Sequence, residues 1–265
     1  MHPVLYEFAN FKIYTFGVMI LLSVLLGLLL LKLLSKIEDI DFTYFLHHIV
    51  KILLVSLFVS RLFHVILEFD RYKDHLLYTI NPRDGGLSMW GFILGVYLSL
   101  YYLTIRFYNK RGKIMDCLSV VFVFISSFLF LGQYFAGQGF GETTDFFMGV
   151  NYENINSPYI GVTVHPTSLY MSIACFILFL LSLLLIVFRK KLYNSFIFYL
   201  NIILFLIAHI ITESLRWDLT YVKNGYNIDK VISIVVLTIT SVFFLYSFIS
   251  IYGSQIKDRF KNRNF

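Results

Sequence analysis

Apolar residues run through this chain in seven long stretches separated by short polar segments, at about 13–34, 43–69, 87–107, 115–137, 167–188, 194–215 and 229–252. A run of roughly 20 apolar residues crosses the ~30 Å hydrocarbon layer as an α-helix, because a helix satisfies its own backbone hydrogen bonds where there is no water to do so. The alternation that marks a membrane barrel is absent. The pattern therefore predicts an all-α polytopic membrane protein with seven transmembrane helices, residues 1–265 forming a single integral membrane domain. The first run follows a short polar lead and precedes six more, so it reads as a span and not as a cleaved signal peptide. The lead itself is placed to cap the first span.

Cations sort the polar segments into two sets. Lys32, Lys36, Arg106, Lys110, Arg111, Lys113, Arg189, Lys190, Lys191, Lys257, Arg259, Lys261 and Arg263 fall on one side of the predicted spans; Arg71, Lys73, Arg83, Arg216, Lys223 and Lys230 fall on the other. Lys and Arg in short loops are retained in the cytoplasm. The N-terminus is thus expected outside and the C-terminus in the cytoplasm. The composition, 58% hydrophobic and 14% charged, agrees with a membrane chain, and the net charge of +6 is accounted for by this bias, so nucleic acid is not an expected partner. The basic tail 257–263 is suited to anionic headgroups. Cys117 and Cys175 lie within apolar runs as small hydrophobes, and two isolated cysteines make neither a disulfide framework nor a metal site.

The pattern breaks between Phe130 and Tyr170, where Leu131-Gly132-Gln133-Tyr134-Phe135-Ala136-Gly137-Gln138-Gly139-Phe140-Gly141 leads into a polar loop at about 138–165, expected on the outer side. The chain re-enters an apolar run through His165-Pro166-Thr167-Ser168-Leu169-Tyr170. Proline suits a first helical turn, and a histidine there is either interfacial or set beside the N–H groups of a helix start, which suit an anion. His209, Glu213 and Arg216 are spaced four and three residues apart and share one helical face. That set is either a structural ion pair or part of a site, and its depth in a span favours a purpose. Gly85-Gly86 permits an unusual turn, Gly91 and Gly95 offer a flat helix face, and Trp90 is either an interfacial anchor or a site residue. His47, His48, Lys51, Arg61 and His64 are costly in lipid and are expected to face protein, water or an interface.

Several of these segments, in this order, resemble the prolipoprotein diacylglyceryl transferase family. Met1-His2-Pro3-Val4-Leu5 with Ile13-Tyr14-Thr15-Phe16-Gly17 is similar to its usual start. Arg61-Leu62-Phe63, Gly85-Gly86-Leu87-Ser88 with Gly91 and Gly95, His165-Pro166-Thr167-Ser168-Leu169-Tyr170 and Glu213-Ser214-Leu215-Arg216 follow at matching spacing. The resemblance implies a multi-pass enzyme of the bacterial plasma membrane that acts on phosphatidylglycerol and preprolipoprotein signal peptides. It implies no cofactor and no metal. The lipobox cysteine thiol attacks the glycerol carbon and glycerol 1-phosphate leaves. It places His209, His165 and Arg216 as catalytic residues, with Arg61, Gly85, Gly86, Gln133, Gly137, Gly141, Tyr170 and Glu213 binding substrate.

The departures from the family pattern fall among the polar positions. Trp90 stands where the family usually has histidine, Phe130 where it has arginine, and His209 where a second arginine precedes the glutamate by four residues. Leu129, Gln133, Ala136 and Gln138 stand at a glycine, an asparagine, an asparagine and a glutamate, and Met171 where a glutamate often follows Leu-Tyr. Arginine is charged at any working pH and grips phosphate with a fork of donors, whereas histidine titrates near neutrality. The resemblance therefore leaves two expectations: diacylglyceryl transfer with an altered set of cations, or a degenerate relative that binds phospholipid or lipoprotein without turnover.

Overall fold

The computed structural model describes residues 4–8, 11–73, 79, 86–151, 161–187, 193–217, 222–223 and 226–261. Gly85, Met1, His2, Pro3, Arg83, Arg189, Lys190, Lys191 and Arg263, singled out above, lie outside the described residues. A two-stranded antiparallel hairpin, β1 (Val4–Phe8) and β2 (Phe11–Tyr14), with Glu7 opposite Lys12, runs directly into helix α1 (Thr15–Ile37). The expected N-terminal cap is thus a hairpin, and the first helix starts two residues later than its apolar run. Helices α2 (Phe42–Leu67), α3 (Phe69–Tyr72), α4 (Met89–Thr104) and α5 (Arg111–Phe135) follow. Short strands β3 (Val150–Asn151) and β4 (Thr163–Val164) pair ahead of α6 (Thr167–Val187) and α7 (Phe196–Leu215), and β5 (Val222–Lys223) pairs with β6 (Tyr226–Asn227) ahead of α8 (Ile228–Lys261).

Six helical runs among the described residues are long and apolar enough to cross a membrane. One of them, Met89–Phe135, is 47 residues. At ~1.5 Å per residue, 47 residues are roughly twice what one crossing of the ~30 Å hydrocarbon layer needs. It is interrupted by a 3₁₀ segment, Ile105–Lys110, in which Phe107 leaves helical geometry (φ −106°, ψ 44°). Arg106, Lys110, Arg111 and Lys113 crowd this break.

Two compact units divide the chain: residues 35–114, and residues 1–34 with 115–265. In the first, α2 and α4 pack through small residues. A methyl group at Gly91 would lie 2.7 Å from Ser60 Cα, and one at Gly95 2.6 Å from Ser56 Cα. With no water to expel from between lipid-facing helices, close backbone approach is what supplies dispersion contact. Glycine at 91 and 95 therefore serves helix packing. The α2 polar residues are disposed accordingly: Ser56, Ser60 and His64 are buried, and His47 and His48 bond through Nδ1 to the carbonyls of Thr43 (2.7 Å) and Tyr44 (2.8 Å). Asp41 caps α2, and its carboxyl is held below its usual pKa by the Thr43 hydroxyl and then the Tyr44 amide.

In the second unit α1 runs antiparallel beside α5, since Gly132 abuts Phe16 and Met19 while Gly27 abuts Ile125 and Val121. Ser172 of α6 donates to the Ser127 carbonyl of α5 (2.8 Å). Asp116, 1% exposed, accepts from the amides of Ser195 (3.0 Å) and Phe198 (2.8 Å) and so caps α7 from a neighbouring helix. Asn201 links Ser182 of α6 (2.6 Å) to Ser119 of α5 (3.1 Å). These bonds hold α5, α6 and α7 in register and set the end at which α5 and α7 stop and α6 begins.

Candidate active site

Helix α5 ends in a turn that uses Gln133 and Gly137. The amide of Gln138 bonds back to the Gln133 carbonyl (2.9 Å) and that of Gly137 to the Tyr134 carbonyl (3.0 Å), with Gly137 at φ 72°. This is a glycine C-cap closing the helix, and the left-handed φ explains the residue type. The chain then lies across the start of α6. Thr167 Oγ1 donates to the Gly139 carbonyl (2.8 Å), Ser168 Oγ to the Gln138 carbonyl (3.0 Å), and the Ser168 amide to the Gly139 carbonyl (3.2 Å). The helix start considered above as an anion site thus spends its Ser168 N–H on the glycine-rich loop.

From Phe140 the loop becomes the central strand of a small ladder. The Gly141 amide donates to the His165 carbonyl (2.7 Å) and the His165 amide to the Glu142 carbonyl (3.0 Å). On the other edge the Glu142 amide donates to the Leu215 carbonyl (3.0 Å) and the Trp217 amide to the Phe140 carbonyl (3.1 Å), so that Gly141 faces Arg216. Two neighbouring strand spacings of ~4.8 Å put the backbones of His165 and Arg216 about 10 Å apart, one on each side of Gly141. A methyl group at Gly141 would collide with the Leu215 carbonyl oxygen and would lie 2.9 Å from His165 Cβ and 3.0 Å from Thr167 Cγ2. Only glycine lets the three segments close up.

The side chains at this end form two linked sets. His165 Nδ1 lies 3.1 Å from the Tyr170 hydroxyl, as expected for residues near a turn and a half apart at a helix start. Arg216 Nη1 donates to Glu213 Oε1 (2.8 Å), Asn227 Nδ2 donates to Oε2 (2.9 Å), and His209 Nε2 lies 3.9 Å from Oε1. Glu213 is only 4% exposed at its side chain, while Arg216 is 24% exposed. A buried carboxylate needs such partners, because an uncompensated charge there is expensive. His209 Nδ1 meets Ser233 Oγ of α8 at 3.0 Å. Ser233 and Asn227 went unnoticed in the sequence, where a lone serine in an apolar span and an asparagine in a polar loop give no signal.

Phe130 points into an aromatic ladder: its ring lies 6.5 Å from that of Phe205, which stacks on His209 at 6.2 Å. The position that carries arginine in the family pattern is therefore hydrocarbon on the Phe205 side of the His209 imidazole. Met171 is buried, with its sulfur 3.9 Å from Thr212 Oγ1, whose hydrogen goes to the α7 backbone carbonyls of Ala208 and His209 (each 3.0 Å).

The model matching the chain over residues 3–246 is that of prolipoprotein diacylglyceryl transferase. The chain belongs to this family. Relatives named phosphatidylglycerol–prolipoprotein diacylglyceryl transferase agree along nearly the whole length. The protein of Finegoldia magna is 27% identical over 237 residues, 89% of this chain and 92% of its own. That of Clostridium botulinum is 29% identical over 256 residues, 94% and 98%. That of Clostridium novyi is 28% identical over 264 residues, 98% of each.

Two of the predicted site residues are described within the other unit. Arg61 and Gly86 belong to the 35–114 unit. There Arg61 Nε donates to the Thr79 carbonyl (2.8 Å) and Nη1 to the Gly86 carbonyl (2.9 Å), and its guanidinium lies 5.4 Å over the Tyr72 ring. Gly86, at φ 81°, presses on the His64 imidazole, whose Nε2 lies 3.3 Å from the Tyr72 hydroxyl. Ser60 Oγ donates to the Ser88 carbonyl (2.7 Å), and Trp90, 6% exposed, is buried beside it in sequence. Arg61 thus ties the Thr79 and Gly86 carbonyls to α2. A cavity of about 310 Å³ in the same unit is lined by Asp39, Phe45, Phe107 and Lys110 at the opposite end of α2, away from these residues.

Proposed function

We propose that this chain transfers the diacylglyceryl group of phosphatidylglycerol to the lipobox cysteine thiol of preprolipoproteins, in the plasma membrane of a bacterium. The observation that carries the reading is the Arg216–Glu213–His209 set beside the Gly141 ladder, in a chain of this family, at the membrane end where His165 and Tyr170 also sit. The cation asymmetry supports placing that end outside and the C-terminus in the cytoplasm. Two crossings, one on each side of Phe107, make seven in all, within one integral membrane domain.

In this reaction a C–S bond forms at the glycerol carbon as its C–O bond to phosphate breaks, and the electron pair leaves on the phosphate oxygen. The thiolate is the attacking form, so a base must take the thiol proton. His209 is that base, and the Glu213 carboxylate stabilises the imidazolium that results. Arg216 stabilises the charge gathering on the phosphate, a task for which a guanidinium fork is suited. His165, held by Tyr170, supplies a second donor to the phosphoglycerol head. Gln133, Gly137 and Gly141 act by shaping the loop that lines this end, and Arg61 with Gly86 shapes a second loop. Purified protein incubated with phosphatidylglycerol and a lipobox peptide should yield the diacylglyceryl adduct by mass spectrometry. An intact, folded preparation that yields none would sink the proposal.

One observation favours a second reading, in which the chain binds phospholipid or lipoprotein without turnover. Phe130 and Phe205 back His209 with hydrocarbon, and hydrocarbon cannot stabilise a leaving phosphate. Tight binding of phosphatidylglycerol with no consumption would select this reading.

A further inference from the structure

The two nitrogens of the His209 ring are treated differently by the protein. Ser233 Oγ makes two contacts: it lies 2.7 Å from the Asp229 carbonyl, four residues earlier on α8, and 3.0 Å from His209 Nδ1. A hydroxyl has one hydrogen, and a carbonyl can only accept. The Ser233 hydrogen therefore goes to Asp229, and Ser233 must accept from His209. Nδ1 carries a hydrogen, which leaves Nε2 as the nitrogen that gains or lacks a proton. Nε2 is also the nitrogen turned toward Glu213, at 3.9 Å, while Arg216 and Asn227 hold that carboxylate in place. The Phe205 ring lies 6.2 Å away, tilted by 23° from the imidazole.

We propose that Ser233 is a positioning residue that sets the His209 tautomer, presenting a bare Nε2 as the acceptor of the lipobox thiol proton. The base role rests on the transfer reading above; the tautomer rests on the hydrogen-bond geometry alone. In the step, the S–H proton moves to Nε2 as sulfur bonds the glycerol carbon and the phosphate oxygen departs with the electron pair. The proton then passes from Nε2 to the departing phosphate, returning the ring to its starting tautomer. A carboxylate or carbonyl accepting from Nδ1 is a common way to fix this tautomer. Here α8 offers a serine whose only hydrogen is already committed, a device that adds no charge to the apolar interior.

The test is ¹⁵N NMR of full-length protein, ring-labelled at histidine and held in phosphatidylglycerol nanodiscs above the ordinary histidine pKa of ~6.5. The His209→Gln variant assigns the signal. The parent should show a protonated Nδ1 and a bare Nε2. Ser233→Ala should lose that preference and lower kcat by about tenfold to a hundredfold with KM unchanged, less than the ~10²–10⁴ that a whole general base supplies. Ser233→Thr, which keeps the hydroxyl, should retain both. A parent with its hydrogen on Nε2, or a Ser233→Ala variant with the parent's tautomer and kcat, overturns the assignment. The expected tautomer in a parent that performs no transfer upholds the geometry and overturns the base role, together with the transfer reading on which it rests.

Discussion

Replacing Gly141 by alanine tests whether the ladder at the helix ends organises the site. The added methyl would meet His165 Cβ at 2.9 Å and Thr167 Cγ2 at 3.0 Å, and would meet the Leu215 carbonyl oxygen more closely still. Carbon atoms rest at ~3.5–4.0 Å, so the strand must retreat by roughly 0.5–1 Å. The Leu215 contact is backbone and cannot swing aside. Retreat stretches the bonds from Glu142 to Leu215 and from Trp217 to Phe140, each about 0.5–1.5 kcal/mol net. Overpacking of this kind costs ~1–3 kcal/mol in total. The functional cost is larger, because Arg216 and His165 are set by the two edges of this strand, and a 1 Å misplacement of reacting groups can cost about a hundredfold in rate. Gly141→Ala should therefore lower adduct formation by about a hundredfold while losing only a few degrees of thermal stability. Gly17→Ala, where nothing lies within 4 Å of the added methyl, is the control and should change neither. Full activity in Gly141→Ala would refute the claim that this strand sets the positions of Arg216 and His165.

Arg216→Ala should abolish transfer and, by stranding the buried Glu213 carboxylate, cost about 3 kcal/mol; adding Glu213→Gln should restore stability in thermal melts while leaving transfer absent. Asp116→Ala removes a carboxylate that accepts two amides at the start of α7 and should lower stability by about 2 kcal/mol, with KM for phosphatidylglycerol unchanged. Gly95→Leu forces α4 away from Ser56 and should reduce the yield of folded protein from membranes, read by size-exclusion in detergent.

The spanning helices were legible because each is a long, mainly apolar run, and polar punctuation placed most of their ends within a few residues. The N-terminal hairpin was not, since Val4–Phe8 and Phe11–Tyr14 are too short for alternation to stand out from an ordinary lead. The Arg216, Glu213 and His209 set was legible from spacing alone. What spacing could not carry was the division of labour among the glycines: Gly137 ends a helix, Gly91 and Gly95 seat one helix on another, and Gly141 admits a neighbouring carbonyl. Nor could it carry contacts made across the fold, such as Ser233 to His209 or Asp116 to the start of α7, because each joins residues more than twenty positions apart by side chains of ordinary type. The hydrogen bonds of Arg61 to the Thr79 and Gly86 carbonyls were not legible either, because they join residues 18 and 25 positions apart.

The most direct measurement of the central claim is the stoichiometry of the reaction. With purified protein, phosphatidylglycerol and a lipobox peptide, the thioether adduct and the released glycerol phosphate should appear together in equal amounts, and neither should appear with Arg216→Ala. Glycerol phosphate released without adduct, or lipid bound and neither product formed, would contradict the account.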